Sequence, residues 1–495
     1  MIEIEGESTT AHVVGVGDEH AGADALVESG CLEQIRTMVD HEAFRNPVRI
    51  MPDAHPGKGS VVGFTMPLGE RVVPNVVGVD IGCGMAAANL GPVLPLEGAT
   101  LDDAVRARIP MGFGPDGLEA PERTFYHVAE EFPWAEATGT LAGFLEVAHP
   151  SLVPELETFL EDGGYDLEYF ETLCTERAGQ QSSYFGVRQA IESVGTLGAG
   201  NHFIEIAHSA KTGDHWVVVH SGSRGLGANT ADYWQERASR LRDDSLADAR
   251  DTLGEYPEYL AFDLETVSDD DLLEWLQGGK GQDFVDFAAL KADYLETDPS
   301  RIEAISDDLK AAVPNPDDVA GNDLDYLEGA EAAGYLIDMV FCQHYAAESR
   351  REMVAAVADV LGVTIRDRIE STHNYVDFRD GIIRKGATRA YEGERAVVPF
   401  NMVDGTLICE GRSNPEWHYS VCHGAGRTMS RAAAHDRFDA ATMAASLADG
   451  GVEASVLPVD EAPGAYKDSE RIEAAIDPTA TVVDRLEPVH NFKAP

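Results

Sequence analysis

The chain has 495 residues, 44% apolar and 8% aromatic, with 87 Asp plus Glu against 37 Lys plus Arg and a formal net charge of −50. That much apolar surface excludes an acidic disordered chain, and the length leaves room for roughly three average domains or one large α/β unit. The acid is spread along the chain rather than gathered in blocks, which argues against a surface built for basic partners and for a salt-adapted, halophilic and archaeal protein.

The start, Met1-Ile2-Glu3-Ile4-Glu5, carries neither a basic stretch nor an apolar run. No run elsewhere approaches the ~18 apolar residues of a membrane span, so a cytoplasmic protein without leader or anchor is expected. The cysteines at 31, 83, 174, 342, 409 and 422 include no CxxC pair, which fits reduced thiols. The first loaded loop is Pro52-Asp53-Ala54-His55-Pro56-Gly57-Lys58-Gly59, where a chain that uses little lysine places one between glycines. Val72 to Asp80 reads as a buried strand. It runs into Gly78-Val79-Asp80-Ile81-Gly82-Cys83-Gly84-Met85, a tight glycine turn with a carboxylate and a thiol three residues apart.

Residues 100–195 show helical patterns interrupted by Pro110, Pro115 and Pro133. Phe203-Ile204-Glu205-Ile206 and Trp216-Val217-Val218-Val219-His220 read as buried strands, each with polar residues at its end. Gly198-Ala199-Gly200-Asn201-His202 precedes the first of these strands, and Ser221-Gly222-Ser223-Arg224-Gly225 follows the second. Residues 231–330 read as an acidic, mostly helical lobe with stretches such as Asp269-Asp270-Asp271 and Asn315-Pro316-Asp317-Asp318. Apolar groups at helical spacing over 331–360 (Tyr335, Leu336, Met339, Val340, Tyr345, Met353) predict a long buried helix that returns the chain to the core.

Beyond it come Ser371-Thr372-His373-Asn374-Tyr375, then Arg384-Lys385-Gly386-Ala387-Thr388-Arg389. Asp80, Cys83, His202, His220 and His373 together make a borderline-soft N/S/O donor set in glycine-rich loops of low charge, suited to Zn, Mn or Co. A bridging thiolate in that set would hold two ions close together, as in-line displacement at phosphorus requires. Ser420-Val421-Cys422-His423-Gly424-Ala425-Gly426-Arg427-Thr428-Met429-Ser430-Arg431 sets one histidine beside glycines and arginines, a combination fit to hold phosphate and attack it. Lys58, Lys385, Lys493, Arg224, Arg427 and Arg431 are candidate phosphate contacts, whereas Lys211, Lys280, Lys291 and Lys310 are expected in ion pairs. No P-loop and no dinucleotide fingerprint occurs, so a bound nucleotide would need another cradle.

These blocks, with Ala465-Tyr466-Lys467-Asp468 and Lys493, resemble the RtcB family of RNA ligases in the family's order from about Met51 to Lys493. The resemblance implies an α+β fold: one large catalytic domain over 1–495 with mixed and antiparallel sheets around a deep cleft, and 231–330 as a peripheral elaboration. It implies a GTP- and Mn2+-dependent ligase that joins RNA 3'-phosphate or 2',3'-cyclic phosphate ends to 5'-hydroxyl ends, in tRNA splicing or RNA repair. Archease would be a potential helper, and tRNA halves the expected RNA.

Residue by residue, the resemblance implies His423 as the carrier of GMP, Asp80, Cys83, His202, His220 and His373 as ligands of two ions with Cys83 bridging, and Zn2+ or Co2+ as stand-ins. It places Asn201, Glu205, Asn401, Gly424, Ala425, Gly426, Tyr466 and Lys493 at the nucleotide, and Asp53, Arg224, Lys385 and Arg431 on the RNA or phosphate side. Two departures stand out: Asn401 replaces a serine that many members carry, and Ser349 precedes Arg350 where the helix motif usually ends Asn-Arg. The alternatives are a metal-dependent cyclic phosphodiesterase or phosphatase that no longer ligates, and a nucleotide- or RNA-binding regulator.

Overall fold

Short apolar strands alternating with helices produce an α+β protein whose main sheet is covered on both faces. The computed structural model describes residues 2–14, 27–112, 132–242, 244–267, 272, 284–312 and 322–494. Pro115, Lys280, Asp269 to Asp271 and Asn315 to Asp318 lie outside the described residues. The chain divides into two units, one made of 1–233 with 328–495 and the other of 234–327.

In the larger unit an eight-stranded sheet runs in the order Arg395–Pro399, Thr406–Gly411, Ala480–Phe492, Phe203–Ser209, His215–Ser221, Gly84–Gly91 and Asp367–Thr372, with Glu453–Ala454 pairing alongside Ala480–Phe492. Strand Gly84–Gly91 is buried along its whole length because both faces are packed. Ala86 and Ala88 share one cluster with Ile204, Ile206, Val217, Val219, Met353 and Val357, while Met85 and Ala87 share another with Val218, Ile369, Val397 and Ile408. The first face receives the helix Gly329–Leu361, which stops at Gly362 in the left-handed conformation. The small side chains Ala86 and Ala88 let this helix lie close to the strand, and each fully buried Val or Met it contributes is worth about 1.5–3 kcal/mol.

A six-stranded sheet takes the order Ile2–Glu5, Thr10–Val13, Val48–His55, Val62–Pro67, Ile382–Lys385 and Asn374–Asp377, and a two-stranded one pairs Ala387–Arg389 with Ser420–Cys422. Helices Gly98–Arg108 and Trp134–Phe144 respect the proline signals, the first ending just before Pro110 and the second beginning after Pro133. One reading fails: Val72 to Asp80 is no strand. Pro74 opens a four-residue helical turn, Pro74–Val77, whose missing N–H costs nothing at a first helical position, and Gly78 ends it at φ 88°.

The smaller unit has its own apolar cluster, built on Leu253, Tyr259, Leu260, Phe284, Leu290, Ile305 and Leu309, with helices Phe287–Tyr294 and Pro299–Ala311 contributing to it. Asp286 caps the first of these by accepting the N–H groups of Ala288 and Ala289. Lys310 pairs with Asp307 at 3.2 Å. In the larger unit Lys211 instead donates to Val483 O at 3.3 Å.

Candidate active site

The antiparallel order of the main sheet decides where the distant motifs meet. Strands Phe203–Ser209 and Gly84–Gly91 begin at the same edge at which His215–Ser221 and Asp367–Thr372 end, since Phe203 and Met85 both face His220 and Gly84 faces Thr372. Asp80, Cys83, His202, His220 and His373 therefore converge. Two triads result, Cys83–His220–His373 and Asp80–Cys83–His202, with Cys83 in both. Cys83 Sγ lies 3.2 Å from His220 Nε2 and 3.7 Å from His202 Nε2; His220 Nε2 lies 3.2 Å from His373 Nε2, and His202 Nε2 2.9 Å from Asp80 Oδ2. Tetrahedral ligands ~2.0–2.3 Å from one centre are roughly 3.3–3.8 Å apart; Cys83–His202 at 3.7 Å falls in that range, and the other three pairs, at 2.9 and 3.2 Å, would spread by a few tenths of an ångström to take an ion.

The tautomer of His220 fits as well. His220 Nδ1 lies 3.1 Å from Asn201 O, so a proton there leaves its Nε2 lone pair facing Cys83, whereas His202 Nδ1 lies between the acceptor Leu197 O at 3.1 Å and the donor Arg224 Nη1 at 2.8 Å. Burial, then the neighbouring His202, push His220 down to about 3, and burial, then His423, hold His373 well below its ordinary range, so both rings are neutral near pH 7. Burial and then Asp80 push the Cys83 thiol up, a direction that a bound cation would reverse. Burial works against the Asp80 carboxylate, but His202 overrides it and holds the group well below its ordinary range.

His423 stands next to this cluster, its ring 5.0 Å from that of His373. It follows strand Ser420–Cys422, and its Nδ1 lies 2.7 Å from Asp53 Oδ2 and 3.0 Å from Gly386 O. Both are acceptors. A proton on Nδ1 satisfies them and leaves Nε2 as the nucleophilic lone pair. Asp53 is fully buried, and Lys467 donates to the carbonyls of Pro52 and Ala54 on either side of it. The glycines of this loop serve the pair directly: a Cβ on Gly426, at φ 72°, would sit 2.0 Å from Asp53 O, and one on Gly386, at φ 65°, 3.1 Å from His423 Nδ1.

His423 opens into a cavity of about 250 Å³ lined by Asn201, Glu205, His220, His373, Asn401, Gly424, Ala425, Gly426, Arg431, Tyr466 and Lys493, among others. One wall is ionic. Glu461 accepts the Tyr466 hydroxyl and lies 3.4 Å from Lys493 Nζ, 2.8 Å from Arg431 Nη1 and 3.6 Å from Arg427 Nη1. Burial alone would raise Glu461, but Lys493 and Arg431 outweigh it and hold the carboxyl at about 2. Elsewhere in the lining Glu205 accepts from Asn491 Nδ2 at 3.1 Å across strand register, and burial pushes its carboxyl up to about 8. Glu205 Oε1 and Asn491 Oδ1 have no hydrogen-bond partner among the described residues. The cavity lining thus combines the unpaired acceptors of Glu205 and Asn491 with cations gathered around Glu461.

Several sequence candidates lie outside the cavity lining or make contacts of their own. Lys385 Nζ donates to the carbonyls of Lys58, Ser60 and Asn75, at 3.3 Å and 3.1 Å for the last two, so its charge holds the Lys58 loop to the helical turn rather than facing the cavity. Lys58 is exposed and outside the cavity lining. Arg224 also misses the lining; at φ 57° it folds over Gly198 and brings Nη1 to 2.8 Å from His202 Nδ1. Asn401 lines the cavity, yet its side chain closes its own turn, accepting from Val403 and Asp404 N–H and donating to Asp404 Oδ2 at 2.8 Å. Ser349, the other departure, accepts the Gly195 N–H at 3.0 Å and so pins the loop before His202.

His55, Phe203, Glu461 and Asn491 also line the cavity. Pattern reasoning gave no functional role to Glu461, one carboxylate among 87 acidic residues, or to Asn491, whose only signal is its register opposite Glu205.

Fold and site together describe an α+β protein with a candidate metal centre beside a cavity lined by His423, Arg431, Lys493 and the unpaired acceptors of Glu205 and Asn491. The chain belongs to the RtcB family, described as tRNA-splicing ligase RtcB, which matches residues 34–264 and 302–494. It is 26% identical to RNA-splicing ligase RtcB1 and 25% identical to RNA-splicing ligase RtcB, from two strains of Escherichia coli, in each case over 94% of both chains. It is 24% identical to the tRNA-splicing ligase RtcB of Archaeoglobus fulgidus, over 90% of this chain and 87% of that one. Among the described residues no helix is long and apolar enough to cross a membrane.

Proposed function

We propose that this protein is an RNA ligase that uses GTP and Mn2+ to join RNA 3'-phosphate or 2',3'-cyclic phosphate ends to 5'-hydroxyl ends, acting on tRNA halves or broken RNA in the cytoplasm. The observation that carries the reading is the pairing of His423 with buried Asp53, 2.7 Å apart, beside two triads that share Cys83. Family membership and the names of the relatives support the RNA ligase class.

Asp53 and Gly386 O hold the Nδ1 proton, so the neutral ring attacks the α-phosphorus of GTP through Nε2 and pyrophosphate leaves. The GMP carried on His423 passes to the RNA 3'-phosphate, giving an RNA-(3')pp(5')G end, and the 5'-hydroxyl of the second RNA then displaces GMP. A cyclic phosphate is first hydrolysed to the 3'-phosphate. Asp80, Cys83, His202, His220 and His373 would hold the ions, which supply charge stabilisation at phosphorus. Arg431 and Lys493 lie on the cavity wall that would receive anionic and base-edge groups, and Glu205 offers an acceptor to nucleotide N–H groups.

Within the unit 234–327, residues 265–301 have no counterpart in the family match, and the acidic lobe is proposed as a peripheral addition. The test uses labelled GTP with Mn2+. An acid-labile, alkali-stable GMP adduct that disappears in His423→Ala is expected; RNA joining without an adduct would refute the histidine mechanism.

A further inference from the structure

The mechanism makes no use of Arg350, yet this is among the largest fully buried side chains in the protein. It projects from the helix Gly329–Leu361 toward the main sheet. Its Nη1 donates to two backbone carbonyls, Gly82 O at 2.7 Å and Ser221 O at 2.8 Å. Its Nε donates to Glu370 Oε1 at 2.6 Å, and Nη2 pairs with the same carboxylate. These three acceptors are not scattered. Gly82 immediately precedes Cys83, Ser221 immediately follows His220, and Glu370 lies three residues before His373 on one strand and its turn. One guanidinium therefore ties together every segment that supplies the Cys83–His220–His373 triad.

The other triad is held differently. Of its members only Cys83 is next to an Arg350 contact. His202 is positioned through Leu197 O and Arg224, and Asp80 through His202 and the Cys83 N–H, so the nearest link to Arg350 is one step removed, Ser221 Oγ donating to Leu197 O at 3.3 Å. Backbone geometry shows that the approach of Arg350 is built in: a Cβ on Gly84 would meet Arg350 Cζ at 3.2 Å and Thr372 Cα at 2.8 Å, so glycine lets helix and strands close on the guanidinium. Arginine suits the task because its planar fork serves several acceptors at fixed angles and stays charged when buried.

We infer that Arg350 is a positioning residue for one ion of the proposed pair, setting the spacing of Cys83, His220 and His373 and leaving the Asp80–Cys83–His202 site largely independent. The inference rests on the two-ion reading of the cluster. Groups that orient metal ligands from outside typically carry 10–100-fold in affinity, and that factor is expected here for one ion and not for the other.

The experiment is Mn2+ titration of the metal-free full chain, followed by the loss of the free-ion spectroscopic signal, on wild type, Arg350→Lys and Glu370→Gln. Folding is checked by circular dichroism. Wild type is expected to bind two ions. Arg350→Lys, which keeps the charge but loses the fork, is expected to keep one affinity and weaken the other by about 10–100-fold. Glu370→Gln removes only the charge of the strand contact, leaves both carbonyl bonds, and should weaken the same ion by a smaller factor; it also provides the result if Arg350→Lys does not fold. His373→Ala identifies which ion is affected, because it should abolish that one alone. Unchanged binding in both folded variants overturns the inference, as does equal weakening of both ions. Wild type that binds fewer than two ions refutes the two-ion reading itself, a separate outcome visible before any variant is compared.

Discussion

Glu205 gives the sharpest quantitative expectation. Its carboxyl is 2% exposed, has a single neutral donor in Asn491, and keeps one oxygen without a partner among the described residues. Burial therefore raises it from 4.5 to about 8. The folded protein holds this proton more tightly than the unfolded chain, so the associated stability is fully present below pH 4.5 and is lost as pH rises through about 8. At 1.36 kcal/mol per pH unit that interval amounts to about 5 kcal/mol. Glu205→Gln keeps the shape and the Asn491 contact but cannot ionise. Denaturant unfolding of both proteins between pH 5 and 9 at constant ionic strength should show wild type losing stability relative to the variant by several kcal/mol, with the variant the more stable one at pH 9. Saturating GTP should flatten the wild-type slope, because N–H donors on Glu205 favour its carboxylate. Identical pH slopes for wild type and Glu205→Gln would refute the reasoning.

The remaining expectations concern the machinery around it. Asp53→Asn replaces the carboxylate 2.7 Å from His423 Nδ1 with an amide that can present N–H to the ring and favour the wrong tautomer, and should slow formation of the GMP adduct on the order of 10²–10⁴-fold with the fold retained, measured by single-turnover labelling. Gly426→Ala forces a side chain to φ 72° and to 2.0 Å from Asp53 O, so a loss of about 2 kcal/mol or more in unfolding free energy should accompany loss of the adduct. Cys83→Ala should remove both Mn2+ ions in equilibrium dialysis, whereas His202→Ala should remove only one, because Cys83 alone belongs to both triads.

Much of this site was legible in the chain before any fold was known. Asp80, Cys83, His202, His220 and His373 stood out as metal-type donors in glycine turns, and His423 stood beside glycines and arginines. Such signals survive in sequence because a turn that must bring backbone close to a ligand or another strand needs glycine locally, whatever the rest of the chain does. The misreadings have an equally physical origin. Val72 to Asp80 had a strand's composition, but Pro74 turned four of its residues into a helical turn. Glu461 was one acidic residue among many until Lys493, Arg431 and Tyr466 closed around it.

By itself the sequence determined the kinds of atom available, the α+β alternation and the positions of the tight turns, since all of these follow from side-chain chemistry and local backbone preference. Only the tertiary structure decided which nitrogen of His423 is occupied, that Cys83 belongs to two triads, and that Arg350 reaches three ligand-bearing segments at once. Those features depend on antiparallel register between strands far apart in the chain and on burial, which sets protonation. Neither register nor burial is a property of any short stretch of residues.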